Sequence, residues 1–82
     1  MFYLYILLSE KNNKFYVGST ANLSDRILRH NSARSKATAS GIPWKLVYTE
    51  EFNTRSEAMK RECQIKAWKS HSLIDKLINS GL

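Results

Sequence analysis

The sequence has too few cysteines, prolines and glycines for several classes of small protein. It holds a single cysteine, Cys63, so no disulfide can form within the chain and packing must stabilise the fold. One proline and three glycines exclude collagen-like and low-complexity chains. Small proteins without disulfides are typical of reducing compartments, so we expect a cytoplasmic location.

Long hydrophobic runs are also missing. The longest one covers residues 2–8, whereas a membrane-spanning helix needs about 20 apolar residues. No Lys or Arg precedes this run, although a secretory signal would begin with positive charge. We therefore expect neither a membrane span nor an export signal.

The composition is that of a small globular protein with a basic surface. Of its 82 residues, 43% are hydrophobic and 24% are charged, which predicts one domain over residues 1–82 with a single core. Thirteen Lys and Arg against seven Asp and Glu give a net charge of +6. This excess favours nucleic acid or an anionic surface as a partner, although many small basic proteins bind neither.

Hydrophobic patterning predicts three strands and three helices. The strands are expected at residues 2–8, 14–20 and 44–52, and the helices at 23–31, 56–68 and 73–79. Residues 32–43 are small and polar and predict a long surface loop. The order β-β-α-β-α-α predicts an α+β fold with a three-stranded antiparallel sheet flanked by helices.

Two tyrosines lie on the predicted hairpin. A turn at residues 9–12 would place Tyr5 opposite Tyr16. Gly18, on the same face as Tyr16, would leave room for a ligand to approach the backbone. Tyrosines are also good strand residues, so both side chains could simply pack in the core.

The first predicted helix carries a polar stripe. Asn22, Arg26 and His30 are spaced four residues apart and therefore share one face, with Asn22 as the expected N-cap. Further basic residues near this stripe are candidates for phosphate contacts: Arg29, Arg34 and Lys36. The alternative is an ordinary solvated basic face.

A carboxylate interrupts the apolar stripe of the second long helix. Glu62 falls between Ala58 and Ile65 on a helical wheel. A carboxylate on a buried face is costly unless it is paired or binds a metal. Glu62 is therefore a candidate metal ligand or catalytic acid, with an ion pair to Lys66 as the rival interpretation.

Several of these segments together resemble the GIY-YIG nuclease superfamily. They are YLYI at 3–6, FYVG at 15–18 and NLSDR at 22–26, followed by His30 and Glu62. The segments WKLVY at 44–48 and RECQIKAWK at 61–69 resemble its small single-domain bacterial branch, which is related to the N-terminal domain of excinuclease C. The resemblance covers nearly the whole chain.

The resemblance implies a metal-dependent endonuclease that uses one Mg²⁺ or Mn²⁺ ion. It would cleave phosphodiester bonds in nucleic acid, with DNA favoured over RNA and a role in repair or processing. Its implied catalytic residues are Tyr5, Tyr16, Arg26, His30 and the metal-binding Glu62. From the charge pattern, the expected nucleic-acid-binding residues are Arg26, Arg29, Arg34 and Lys36.

Two positions depart from the family pattern. Tyr3 replaces the first motif glycine, and no asparagine follows Glu62 at the distance seen in several catalytic relatives. Two alternatives therefore stay open: a nucleic-acid-binding module that has kept the fold without turnover, and a structural or protein-interaction domain. A chain of this length leaves no room for a separate recognition domain, so we expect it to bind weakly, to form a homodimer or to take its specificity from a protein partner.

Overall fold

The computed structural model describes residues 1–32 and 36–80. Its strands and helices, in chain order, are β1 (Phe2–Ser9), β2 (Phe15–Thr20), α1 (Leu23–Asn31), α2 (Lys36–Ala39), β3 (Trp44–Phe52), α3 (Arg55–Ala67) and α4 (His71–Ser80). Apart from α2, a single turn of helix, these are the elements that the sequence predicts. No helix in the described ranges has the length and apolar character that a membrane span requires.

The three strands form one antiparallel sheet in the order β2-β1-β3. The central strand, β1, carries four consecutive residues without solvent exposure, from Leu4 to Leu7. An unbroken apolar run is what a strand needs when both of its faces are covered. The α+β fold class is thus confirmed, with helices on both faces of the sheet.

Side-chain alternation along β1 divides the core into two halves. Leu4 and Ile6 pack with Ile65 of α3, while residues of α4 lie against the same cluster. Tyr5 and Leu7 face the opposite way and pack with Ile27 of α1. The two faces of the sheet are therefore covered by different helices, α1 on one face and α3 with α4 on the other. β2 is an edge strand of this sheet.

Helices α1 and α3 each begin at a side-chain N-cap, and the cap of α1 is the one expected from the sequence. The Asn22 side chain accepts a hydrogen bond from the Asp25 backbone N–H at 3.0 Å. At the start of α3, the Thr54 hydroxyl accepts one from the Glu57 N–H at 3.2 Å. Each cap satisfies a backbone donor that the first turn leaves unpaired, so the caps fix where α1 leaves β2 and where α3 leaves β3.

The predicted hairpin register is wrong by two residues. Tyr5 lies opposite Gly18, and Tyr16 lies opposite Leu7. The reason is that the four-residue turn lies one residue later, at residues 10–13, where the Ser9 N–H closes it by donating to the Lys14 carbonyl at 2.9 Å. Since a shift of two keeps every side chain on its face, Tyr5 and Tyr16 still lie on the same side of the sheet.

Gly18 leaves no room for a ligand, contrary to the expectation from the sequence. A Cβ atom at this position would lie 2.5 Å from the Tyr5 hydroxyl oxygen and 2.6 Å from Cζ of the same ring. The φ angle of Gly18 is not positive, so the glycine is required for space rather than for backbone conformation. Because Gly18 has no side chain, the Tyr5 ring can pack directly against its backbone.

The segment predicted as a surface loop is partly buried. Its residues 36–39 form α2, in which Thr38 has no solvent exposure. The Thr38 carbonyl accepts a hydrogen bond from the Trp44 indole N–H at 2.7 Å, and the Gly41 carbonyl accepts one from the Ser9 hydroxyl at 2.6 Å. These bonds hold the segment against the sheet, which a polar composition alone does not predict.

Gly18→Ala should destabilise the fold by about 1–3 kcal/mol, the usual cost of overpacking a core. The Tyr5 ring cannot yield easily because it is fully buried. Urea unfolding of Gly18→Ala, Tyr5→Leu and the double variant provides the test. The cost of Gly18→Ala should largely disappear in the Tyr5→Leu background, because the smaller side chain vacates the space. An equal cost in both backgrounds would contradict the packing account.

Candidate active site

The Tyr5 hydroxyl lies at the centre of the predicted site. Tyr5 has no solvent exposure, and its hydroxyl oxygen is 3.0 Å from Nε2 of His30. Its ring centroid lies 6.4 Å from that of Tyr16. With Gly18 beneath the ring and His30 at the hydroxyl, the position of this group is fixed by contacts on two sides.

His30 supports Tyr5 from the last turn of α1. Its side chain is 3% exposed, and Nδ1 lies 2.9 Å from the Thr38 hydroxyl. Burial and the positive charges of Arg26 and Arg29 lower the pKa of His30. A neutral imidazole carries one N–H, so one nitrogen donates and the other accepts, and both hydrogen bonds can form together.

The surroundings of His30 limit the chemistry that its ring can perform. Both ring nitrogens are engaged by hydroxyl groups, and the ring has almost no contact with solvent. The geometry therefore does not favour direct removal of a proton from an attacking water by His30. The ring instead links the Tyr5 hydroxyl to the Thr38 hydroxyl by hydrogen bonds.

Arg26 lies one turn before His30 and is half-buried. Burial, with the nearby Tyr16, raises the pKa of Tyr5 to about 12, while Arg26 acts in the opposite direction through its charge and a hydrogen bond. The Tyr5 hydroxyl therefore keeps its proton at neutral pH. Arg26 places a permanent positive charge beside it.

Tyr16 is the more accessible of the two motif tyrosines. It is half-buried on the edge strand β2, and its ring centroid lies 4.8 Å from that of His30 and 6.3 Å from that of Trp44. Tyr5, Tyr16, Arg26 and His30 thus meet on the face of the sheet that α1 covers.

Glu62 approaches this group from α3, which covers the other face. Its Oε1 accepts a hydrogen bond from the Ser19 hydroxyl at 2.7 Å, and its Oε2 lies 2.6 Å from Nζ of Lys66. The ion pair that the rival interpretation predicts is therefore present. The negative charge of Glu62 nevertheless contributes, as the smallest cause, to the raised pKa of Tyr5, so Glu62 lies within electrostatic reach of the Tyr5 hydroxyl.

The oxygen atoms of Glu62 and Ser19 suit a divalent ion that binds to few protein ligands. The described residues contain no group of three or more His, Cys, Asp or Glu side chains that could enclose a metal. Mg²⁺ often takes only one or two protein carboxylates and keeps several waters. A single carboxylate at 21% side-chain exposure, beside the Ser19 hydroxyl, fits that mode of binding.

The basic residues predicted to bind phosphates lie around α1 and α2. Arg29 is exposed in the last turn of α1, and Lys36 is exposed at the start of α2. Arg34 lies outside the described residues. The role of Arg29 and Lys36 in binding phosphates stays a prediction.

Two hydroxyl residues of the site were not predicted from the sequence. Thr38 falls in a segment without hydrophobic periodicity, and nothing in its pattern indicates that it would reach His30. Ser19 follows Gly18 and so points to the face opposite Tyr16, where it meets Glu62. Strand alternation gives the face of Ser19, but the contact depends on the position of α3.

Comparison with known proteins agrees with the fold. The family model described as the GIY-YIG catalytic domain matches residues 1–75. A UPF0213 protein of Staphylococcus saprophyticus is 39% identical over 96% of this chain and 95% of its own length. A UPF0213 protein of Pediococcus pentosaceus is 37% identical over 99% of this chain and 85% of its own length.

A solved structure has the same architecture. The solution NMR structure of a UPF0213 protein from Bacillus halodurans aligns with a TM-score of 0.60 and 32% sequence identity. The alignment covers 96% of this chain and 84% of that one. The chain therefore belongs to the GIY-YIG family of nuclease domains, among small members that include these UPF0213 relatives.

Proposed function

We propose that the protein is a divalent-metal-dependent endonuclease that hydrolyses phosphodiester bonds in nucleic acid, with DNA favoured over RNA, and acts in repair or processing. One observation carries the proposal. Four polar side chains from three different elements surround Tyr5: His30 lies at its hydroxyl, the Tyr16 ring centroid lies 6.4 Å from its ring centroid, and the charges of Arg26 and Glu62 act on it. Ordinary core packing has no need of such a set.

In this proposal Arg26 neutralises the phosphate. Negative charge grows on the phosphoryl oxygens as the bond to the leaving group breaks, and a fixed guanidinium can meet that charge with two parallel N–H donors. Its half-buried position beside Tyr5 and His30 limits the guanidinium to a few orientations. Less of the binding energy is then lost to ordering the side chain.

Tyr5 and His30 act as an orienting pair. Because the Tyr5 hydroxyl keeps its proton at neutral pH, it is a poor base, and because it is fully buried it acts on substrate through Arg26, with which it shares a hydrogen bond. His30 is a positioning residue, since it acts on substrate through Tyr5. Thr38 supports the far side of the His30 ring.

Tyr16 is the candidate for proton transfer from the attacking water. It lies on the same face as Tyr5, but on an edge strand and with more contact to solvent. Its hydroxyl can accept and pass on a proton within a hydrogen-bonded network. The proposal assigns this role to Tyr16 because both nitrogens of His30 are already engaged.

Glu62 would hold the metal, with Ser19 fixing the orientation of its carboxylate. A bound Mg²⁺ or Mn²⁺ supplies charge stabilisation to the phosphate and a more acidic water. Glu62 faces the edge of β2, so a substrate would lie along this edge, in contact with groups from both faces of the sheet.

Tyr16→Phe and Arg26→Lys should each lower the single-turnover cleavage rate by roughly 10²-fold, the scale of losing a proton-transfer or charge-stabilising group. The rates would be measured with Mn²⁺ on duplex, single-stranded and branched oligonucleotides, with a chelator as the blank. Tyr48→Phe is the matched control, because its hydroxyl contacts Glu50 rather than this cluster. Wild-type rates in both test variants would refute these assignments.

Glu62→Gln should abolish metal-dependent cleavage and leave nucleic-acid binding intact, because amide oxygens bind a divalent cation more weakly than a carboxylate. Fluorescence anisotropy over a range of salt concentrations measures binding. If about four phosphates are contacted, the log–log salt slope is near −3.6 in wild type and variant. Glu57→Gln is the control, since Gln also serves at that capping position.

The same experiments separate the catalytic proposal from the alternatives. Salt-dependent binding without cleavage by the wild-type protein, with either Mg²⁺ or Mn²⁺, would identify a binding module. Absence of both would leave only a structural or interaction role.

A further inference from the structure

Lys66 forms an ion pair with Glu62, the carboxylate that is proposed to bind the metal. Its ammonium nitrogen lies 2.6 Å from Oε2 of Glu62, one helical turn away on α3. The same nitrogen lies 5.9 Å from the centroid of the Tyr16 ring. The positive charge of Lys66 is thus located between the acid and the tyrosine of the proposed site.

This ion pair contributes little to the stability of the fold. The Lys66 side chain is 50% exposed, and exposed pairs at this helical spacing contribute only a few tenths of a kcal/mol. Lysine carries a compact charge on a flexible four-carbon stem, so it can leave the carboxylate without disturbing α3. The ion pair between Lys66 and Glu62 is therefore important for where it places the Lys66 charge, and not for its contribution to stability.

We propose that Lys66 is a built-in competitor of the metal ion. It neutralises Glu62 in the free protein, and a divalent cation must displace its ammonium before it can use Oε2. Lys66 thereby sets the metal concentration at which the site is loaded. This inference rests on the proposed metal-binding role of Glu62.

Ser19 does not compete in the same way. Its hydroxyl is neutral and donates to Oε1, the other oxygen of the carboxylate. A neutral donor orients the group without offsetting its charge, so Ser19 can stay in place when a cation binds. Lys66 is therefore the contact of Glu62 whose removal should change the affinity for metal.

Isothermal titration with Mn²⁺, without nucleic acid, tests the competition. Lys66→Met removes the ammonium and keeps most of the stem. Lys60→Met makes the same change on the same helix, about 160° away from Glu62 at 100° per residue. Lys66→Arg keeps the charge. Glu62→Gln reports how much of the Mn²⁺ binding belongs to this carboxylate, and thermal unfolding verifies that each variant is folded.

Lys66→Met should bind Mn²⁺ roughly tenfold more tightly than wild type, the scale expected when a unit charge next to a divalent ion is removed at a solvated site. Lys60→Met should change the affinity by less than about twofold, because Lys60 is exposed on the opposite side of α3, where salt screens its charge. Lys66→Arg should stay close to wild type. Equal effects of Lys66→Met and Lys60→Met would overturn the inference and leave only a general effect of net charge.

The titration also separates this inference from the proposed function. If Glu62→Gln binds Mn²⁺ as wild type does, Glu62 is not the ligand and both fail. If Glu62→Gln loses binding while Lys66→Met has no effect, only the competition fails. If Lys66→Met tightens binding but the wild-type protein cleaves no substrate, the competition holds and the catalytic proposal fails.

Discussion

The hydrogen bond between the Tyr5 hydroxyl and His30 determines how the parts of the structure come together. It joins the central strand to the last turn of α1, and the other nitrogen of the same ring reaches Thr38 in α2. The bond can form only because Gly18 leaves space for the Tyr5 ring. A buried hydroxyl without a partner would be costly, so β1, β2, α1 and α2 are tied to a single arrangement.

The edge strand β2 connects the two parts of the candidate site, which lie on opposite faces of the sheet. Alternation along this strand sends Tyr16 towards α1 and Ser19 towards α3, where Ser19 meets Glu62. An acid packed against one face can thereby act together with tyrosines and an arginine on the other. The arrangement needs an edge position, because in a central strand the neighbouring backbone would separate the two groups.

Much of the site could be predicted because its residues follow local rules. The spacing of Arg26 and His30, the caps at Asn22 and Thr54, and the place of Glu62 in an apolar stripe all depend on helix geometry within a few residues. The hairpin register could not be predicted, because it depends on the four-residue turn that Ser9 closes. The burial of Thr38 likewise depends on contacts across the fold, which no local pattern encodes.

The central claim is that a neutral His30 ring holds the buried Tyr5 hydroxyl in place. The protonation and the tautomer of this ring test that claim most directly. Nitrogen-15 NMR of the imidazole over pH 5–8 reports both its protonation and which nitrogen carries the hydrogen. The account predicts one fixed neutral tautomer and a pKa below the ordinary value of 6.5, because the ring is buried, lies near Arg26 and Arg29, and is held by two hydroxyls. A ring that exchanges between tautomers and titrates at or above 6.5 would contradict it.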